Sequence, residues 1–452
     1  MELLNRLVCK SGIPIFLWKS SIFFYLTLSV SMPAKAQFLS AEQAVAIALE
    51  NNYQIRLSML NERILENNRN LGVAEFFPDI SADAATNNSI TNTRQEYLSG
   101  QINEKNNAKS SSLNAGIGLD WTLFDGFRMF AGYDILKQQL ESGQLQTRLE
   151  VENTVAEVLS LYYNIVELRQ KTSMLEESVA LGRSRVDIAE NKLTIGAGSR
   201  LELLQARVDM NADISELVNL NDLITESTIS MNLLLARDAN TMFTVEDTVV
   251  LSKLPEYSVL KQRMEQTNTN LLLNSNDLEL LEMNLRLIKG KRYPEIGFNM
   301  AYNYNTQESE SGFVKTGRSD GLNYGLTARL PIFEGLVQSR ERKNVRISIE
   351  SAQLKRDNII AQLNAELLST FSVYNNKLST IELERENLQT AYTNFDIANE
   401  RYRLGELSGI EIREAQQNLL FAQDRLISLI YQARMLEIKL LQLSGDIIPG
   451  GQ

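Results

Sequence analysis

Two hydrophobic periods alternate along this chain of 452 residues. The first is helical. Apolar side chains fall at Ile360, Leu363, Leu367, Phe371, Tyr374, Leu378, Ile381, Leu388, Tyr392, Phe395 and Tyr402, and only Arg385 and Asn399 interrupt them. Spacings of three and four held this long predict the seam of a coiled coil. The proline-free stretches from about Arg128 to Leu193 and from about Gln338 to Tyr402 are each read as one helix. Some 65 residues at 1.5 Å each reach about 100 Å. Glycines end both, at Gly196 and Gly198 and at Gly405 and Gly409. Amphipathic helices follow over 199–236 and 409–443, so each long helix folds back as an antiparallel hairpin. Shorter helices are predicted over 40–74 and 256–290.

The second period is two. Leu113, Ala115, Ile117, Leu119, Trp121 and Leu123 alternate with small or polar residues, as do Ile296, Phe298, Met300, Tyr302 and Tyr304. Residues 322–332 repeat the pattern, and Ile80, Ala82 and Ala84 show it weakly. Two β-hairpins result, 79–124 and 295–333, with polar tips over 91–111 and 305–320. Strands of about 10 residues have the length a tilted bilayer crossing needs. Phe77, Trp121, Phe124, Tyr293 and Phe333 lie at the ends that meet the helices, which suits an aromatic girdle at one interface. A half-buried sheet in a soluble protein would alternate in the same way. Four strands cannot close a barrel, however, and open edges are not tolerated in lipid, so a membrane sheet must be shared between copies. Two copies give eight strands and a filled interior; three give 12 and a polar lumen, which the small inward residues favour.

The chain is written twice. AEVLS at 156–160 recurs as AELLS at 365–369, and LFDGF at 123–127 as IFEGL at 332–336, both at an offset of 209. FFPDI at 76–80 recurs as RYPEI at 292–296 at an offset of 216, so the halves differ in a loop between these motifs. The expected units are 37–237 and 256–446, joined by 238–255 and followed by a tail, 447–452.

Composition removes whole classes of chemistry. There is no histidine, and the one cysteine is Cys9. Histidine-based catalysis, His-ligated zinc, disulfides and iron–sulfur clusters are excluded, and no catalytic, metal or cofactor site is expected. Arg6, Lys10 and Lys19 precede the apolar run 22–30, and Ala34-Lys35-Ala36 is a cleavage pattern, so 1–36 reads as a secretory signal peptide. Removing it takes four basic residues and one acidic residue and leaves 41 basic against 55 acidic, a net charge of −14. Such a balance speaks against nucleic acid as a partner.

In this order, the signal segment, the duplicated plan, FPDI/YPEI opening and LFDGF/IFEGL closing each hairpin, and the glycine break before Glu202 and Glu411 resemble the TolC family of outer-membrane efflux proteins. The resemblance covers essentially all of the chain after residue 36. It implies a mainly α fold with a β-barrel part: a homotrimer with a 12-stranded barrel in outer-membrane lipid and an α-barrel of twelve helices across the periplasm. An equatorial region would draw on residues near 37–50, 238–258 and the C-terminus. A periplasmic adaptor (membrane fusion) protein and an inner-membrane pump of RND, ABC or MFS type would deliver cargo to this passive duct. The family's acidic gate positions match Glu411 and Glu414, one turn apart; three chains would set six carboxylates around one axis, a ring that attracts cations. An acid in that first turn also complements the helix dipole without any gate. Two latch positions match Glu202 and Tyr402, and a third, arginine in some members, is Leu407. Two basic segments, 286–292 and 340–346, flank the second hairpin and suit either inner-leaflet headgroups or a solvated face. The competing reading is a soluble periplasmic coiled-coil scaffold or adaptor.

Overall fold

A computed structural model of the chain describes residues 37–311 and 314–448. The predicted signal peptide and residues 449–452 of the tail lie outside them. Among the described residues no helix is long and apolar enough to cross a membrane.

Each repeat opens with two helices where the hydrophobic pattern predicts one: α1 (Ala41–Asn51) and α2 (Tyr53–Asn68), then α5 (Tyr257–Thr267) and α6 (Thr269–Gly290). The breaks fall at Asn52 and Asn268, again 216 residues apart. Each asparagine leaves the helical conformation, and its side-chain oxygen accepts from the two amides that start the next helix. Its amide group donates across to the end of a later helix, Asn52 to the Leu234 carbonyl and Asn268 to that of Leu443. The kink is thus fully hydrogen-bonded although both residues are buried.

The long helices α3 (Arg128–Thr194) and α7 (Val337–Arg403) each have 67 residues and pair with α4 (Arg200–Leu234) and α8 (Gly409–Ser444). The α7 seam buries Leu363, Leu367, Tyr374, Ile381, Phe395 and Tyr402. Its two interruptions have local causes. Glu384 takes the inward position beside Arg385 and pairs with Arg425 of α8 at 3.2 Å, and buried Ala398 replaces Asn399. Midway along α3, Val158, Tyr162 and Ile165 pack with Leu39, Phe243, Val245, Leu235, Ile438 and Ile447. Here β1 (Gln37–Phe38) runs parallel to β4 (Phe243–Thr244). The Tyr162 hydroxyl donates to the Leu39 carbonyl and accepts from the Glu246 amide. Three sequence-distant segments therefore gather around the middle of the rod.

The remaining strands, β2 (Asp79–Glu96), β3 (Ile102–Phe124), β5 (Glu295–Ser309) and β6 (Thr316–Arg329), form one antiparallel sheet in the order β2-β3-β5-β6. Its register aligns apolar residues across all four strands: Ile80–Leu119–Met300–Tyr324 form one row and Ala82–Ile117–Tyr302–Leu322 the next. Trp121–Phe298–Leu326 and Phe124–Ile296–Ala328 continue the face toward the helices. A register shift between Thr122 and Phe124 skips Leu123, so Phe124 takes the place in the apolar face that simple alternation gave to Leu123. The polar tip predicted over 91–111 is mostly ladder, with only residues 97–101 outside it. Strands wetted on both faces need no apolar alternation, and Ser89 and Ser110 hydrogen-bond across the pair. β6 stops at Arg329, ahead of Pro331, which has no N–H for the ladder.

Candidate functional site at the helical tips

Both hairpins turn at the end of the rod remote from the sheet, by the same devices 209 residues apart. Gly196 and Gly405 adopt φ of +76° and +81°, the left-handed geometry that glycine takes without a steric penalty. The following amides then bond back, Ala197 N to Lys192 O at 2.8 Å and Glu406 N to Arg401 O at 2.9 Å, closing each helix. Ser199 and Ser408 cap the returning helices by accepting from Glu202 N and Glu411 N. Gly198 and Gly409 serve close approach: a Cβ at Gly198 would lie 2.8 Å from the Lys192 Cβ, and one at Gly409 3.3 Å from the Glu202 Cγ.

Tyr402 ends α7 almost completely buried, at 1% exposure. Its hydroxyl donates to the Glu202 carboxylate of the other hairpin at 3.3 Å. Lys192 sits 4.3 Å from the ring centroid and 3.9 Å from the same carboxylate. Burial, and then the negative charge of Glu202, push the phenol up to about 12, so it remains a donor at physiological pH. A cavity of about 370 Å³ adjoins this contact, lined by Arg185, Lys192, Glu202, Tyr402 and Leu407. Leu407 supplies no charge.

Glu411 is exposed. Its carboxylate accepts from the Ser408 amide at 2.9 Å and the Ser408 hydroxyl at 2.6 Å, a reciprocal capping box. These bonds from Ser408 hold its carboxyl below the usual range. Glu414 lies one turn on, exposed and without a partner among the described residues. The two acids share the solvent face of α8, while Ile412 and Ala415 face inward.

Deeper in the tip lies a buried polar network. Arg413 of α8 makes a two-pronged pair with Asp213 of α4, at 2.9 and 2.8 Å. Asp213 also accepts from Ser178 at 2.7 Å, and Gln416 donates to the same hydroxyl at 2.8 Å. Arg185 of α3 donates to Gln416, to Asp209 and to the Gly409 carbonyl. This network ties the first hairpin to the second, and none of its charged residues is among the tip positions that the sequence marks out. Burial alone would raise the Asp213 carboxyl; the bonds from Arg413 and Ser178 outweigh burial and hold it below the ordinary value. A lowered folded value stabilises the tip above the unfolded value near 4 and ceases to do so as pH falls through the folded one. Hydrogen exchange of the tip amides, corrected for intrinsic rates, is therefore expected to stay constant from about pH 5 to 8 and to rise below about pH 4.

At the opposite end, Phe77, Trp121, Tyr293 and Phe333 are exposed and Phe124 is half-buried. All five sit where strands become helices. The Trp121 indole donates to the Phe76 carbonyl at 3.0 Å, and Phe124, Phe127 and Tyr293 stack edge to face.

A family model described as "Outer membrane efflux protein" matches residues 44–237 and again 261–446. The outer membrane efflux protein BepC of Brucella suis is 18% identical over 402 residues, which span 89% of this chain and 84% of the relative. The probable efflux pump outer membrane protein TtgC of Pseudomonas putida is 20% identical over 399 residues, 85% of this chain and 78% of the relative. The solved CmeC outer membrane channel of Campylobacter jejuni superposes with a TM-score of 0.75 at 15% identity, covering 98% of this chain and 95% of that one. At that identity the likeness shows the fold.

Proposed function

This chain belongs to the outer membrane efflux protein family, and on that premise we propose that three copies form a passive exit duct from the periplasm through the outer membrane. The observation carrying this reading is the uncovered sheet. Among the described residues no helix packs over either of its faces, and Ile80, Ile117, Trp121, Tyr302, Leu322 and Leu326 are all exposed on one of them. In water such a face needs a covering layer; in lipid it needs none. The same observation disfavours the soluble scaffold. β2 and β6 are open edges, and lipid tolerates a sheet only when every edge is paired. Joining β6 of one copy to β2 of the next closes twelve strands after three copies, with the Asp79–Asp120–Asn299–Gly325 side toward the lumen. The four long helices of each copy then supply twelve to the periplasmic barrel.

Cargo reaches the duct from an inner-membrane pump of RND, ABC or MFS type through a periplasmic adaptor, and no step is catalytic. The Tyr402–Glu202 contact serves as the latch between hairpins, and Glu411 and Glu414 of three chains as the charged ring at the entrance. In planar bilayers the wild-type channel is expected to prefer cations, and Glu411→Ala with Glu414→Ala to weaken that preference. Unchanged selectivity rejects the ring and leaves Glu411 as a helix cap.

A further inference from the structure

The two repeats differ at the heads of their long helices. In the first, Phe76 packs edge to face on Phe130 with centroids 5.0 Å apart, and Phe127 closes the cluster from the side. The positions at the repeat offsets in the second half are Arg292 for Phe76 and Ser339 for Phe130, while Tyr133 is matched by Arg342. Two aromatic rings and a tyrosine give way to a serine and two guanidiniums. A cleft of about 330 Å³ is left at the head of α7, with Arg292 and Arg342 in its wall.

Neither arginine has a carboxylate within ion-pair distance among the described residues, and the Arg342 Nε is buried without a hydrogen-bond partner. The nearby cation Lys291 is already engaged by Glu341 at 3.0 Å. The one acid in the cleft, Glu334, accepts from Gln338 at 3.0 Å. In the first repeat Arg128 is neutralised by Glu295 at 2.7 Å. The cation excess therefore belongs to the second repeat alone, and Arg286, Lys289, Arg340, Lys343 and Arg346 extend it around the same junction. In the single chain the rim of the cleft is apolar, with Ile332 93%, Phe333 77% and Leu336 72% exposed, directly after the β6 edge that meets the next copy. Leu336 is held in the left-handed region at φ +65°, a conformation unfavourable for leucine.

We propose that this cleft is a site for one anionic phospholipid of the inner leaflet, its phosphate on Arg292 and Arg342 and an acyl chain along Ile332, Phe333 and Leu336. The junction stands at the level of Trp121 and Tyr293, where the apolar rows of the sheet end and headgroups begin. Guanidiniums match a phosphate by charge and by paired N–H donors. A free phosphate would have no use for three exposed apolar side chains beside it. The proposal rests on the outer-membrane placement and not on the gate.

The test is native mass spectrometry of the full chain in neutral detergent, with phosphatidylglycerol or phosphatidylcholine at equal concentration. Phosphatidylglycerol is expected to be retained with a preference of about thirtyfold, from roughly 1 kcal/mol for each of the two arginines at the headgroup. R292Q with R342Q should abolish the preference, and K289Q with K343Q should keep it. S339F keeps both arginines but refills the cleft with the ring present in the first repeat, and should also reduce retention; it decides the matter should the double variant not fold. Equal retention of both lipids by the wild type, or undiminished preference in both R292Q/R342Q and S339F, overturns the proposal. So does complete displacement of the lipid by millimolar inorganic phosphate, which would mark a free-anion site. Bilayer conductance, recorded on the same preparations, reports the duct reading separately.

Discussion

Replacing Ile117 by arginine is expected to cost about 2–4 kcal/mol of barrel stability in lipid vesicles. Ile117 occupies a central row of the apolar face and is 60% exposed in the single chain. In water an arginine at so open a position would be nearly neutral, because surface changes stay within about 0.5 kcal/mol. The large effect arises only if that face meets hydrocarbon. Asn323, on the opposite face of the sheet and two strands away on β6, provides the control. Its row, Gly118–Ala301–Asn323, points to the polar side, and Asn323→Arg should leave vesicle stability nearly unchanged. Urea titration of vesicle-inserted protein measures both. Equal tolerance of the two arginines would place water on both sides of the sheet.

The second large effect is expected at Asp213. Its side chain is 8% exposed and that of Arg413 13%, and together they bridge the two hairpins. Asp213→Ala leaves a guanidinium in a site with too few acceptors, and removing one partner of a buried pair costs about 3–5 kcal/mol. The hairpin tips are expected to loosen, seen as faster hydrogen exchange over residues 199–213 and 408–416 and as higher conductance than the wild type in planar bilayers. Replacing both partners, Asp213→Leu with Arg413→Met, removes the stranded charge and should recover most of the loss. Wild-type exchange in Asp213→Ala would mean that the pair contributes nothing to closure. Poor recovery in the double variant would show that the bridge itself, and not the penalty of an unpaired cation, holds the hairpins together.

How much of this was legible in the sequence depends on whether the cause of each feature is periodic. The long helices start and end within a residue or two of their predicted bounds, since a long proline-free run ended by glycines, with a stripe such as that over 360–402, has one helical solution. The sheet register follows equally from alternation, because a slip of one residue would turn every apolar side chain to the lumen. The kinks at Asn52 and Asn268 were invisible because the hydrophobic stripe runs through them, and a single side chain acting on two amides makes the break. The bulge at Leu123 breaks alternation by one residue and leaves no trace in composition. Half of the tip network was readable: Leu203, Ala206, Met210, Asp213, Leu217 and Leu220 form one stripe of α4, and an aspartate inside it requires a partner. Which partner was not readable. Arg413 lies 200 residues away, and the register between hairpins is fixed by packing that neither stripe encodes. The repeat gave no help, since position 213 is matched by Ala422. Glu411 was singled out by the family resemblance, whereas its local geometry is that of a capping residue, and only the ring experiment separates the two roles.

The central claim is that this chain completes its barrel only with two further copies in the outer membrane. The mass of the native particle tests it most directly. Protein extracted from outer membranes with mild detergent and weighed intact should contain three chains and no monomer. A single chain released by osmotic shock without detergent would contradict the account.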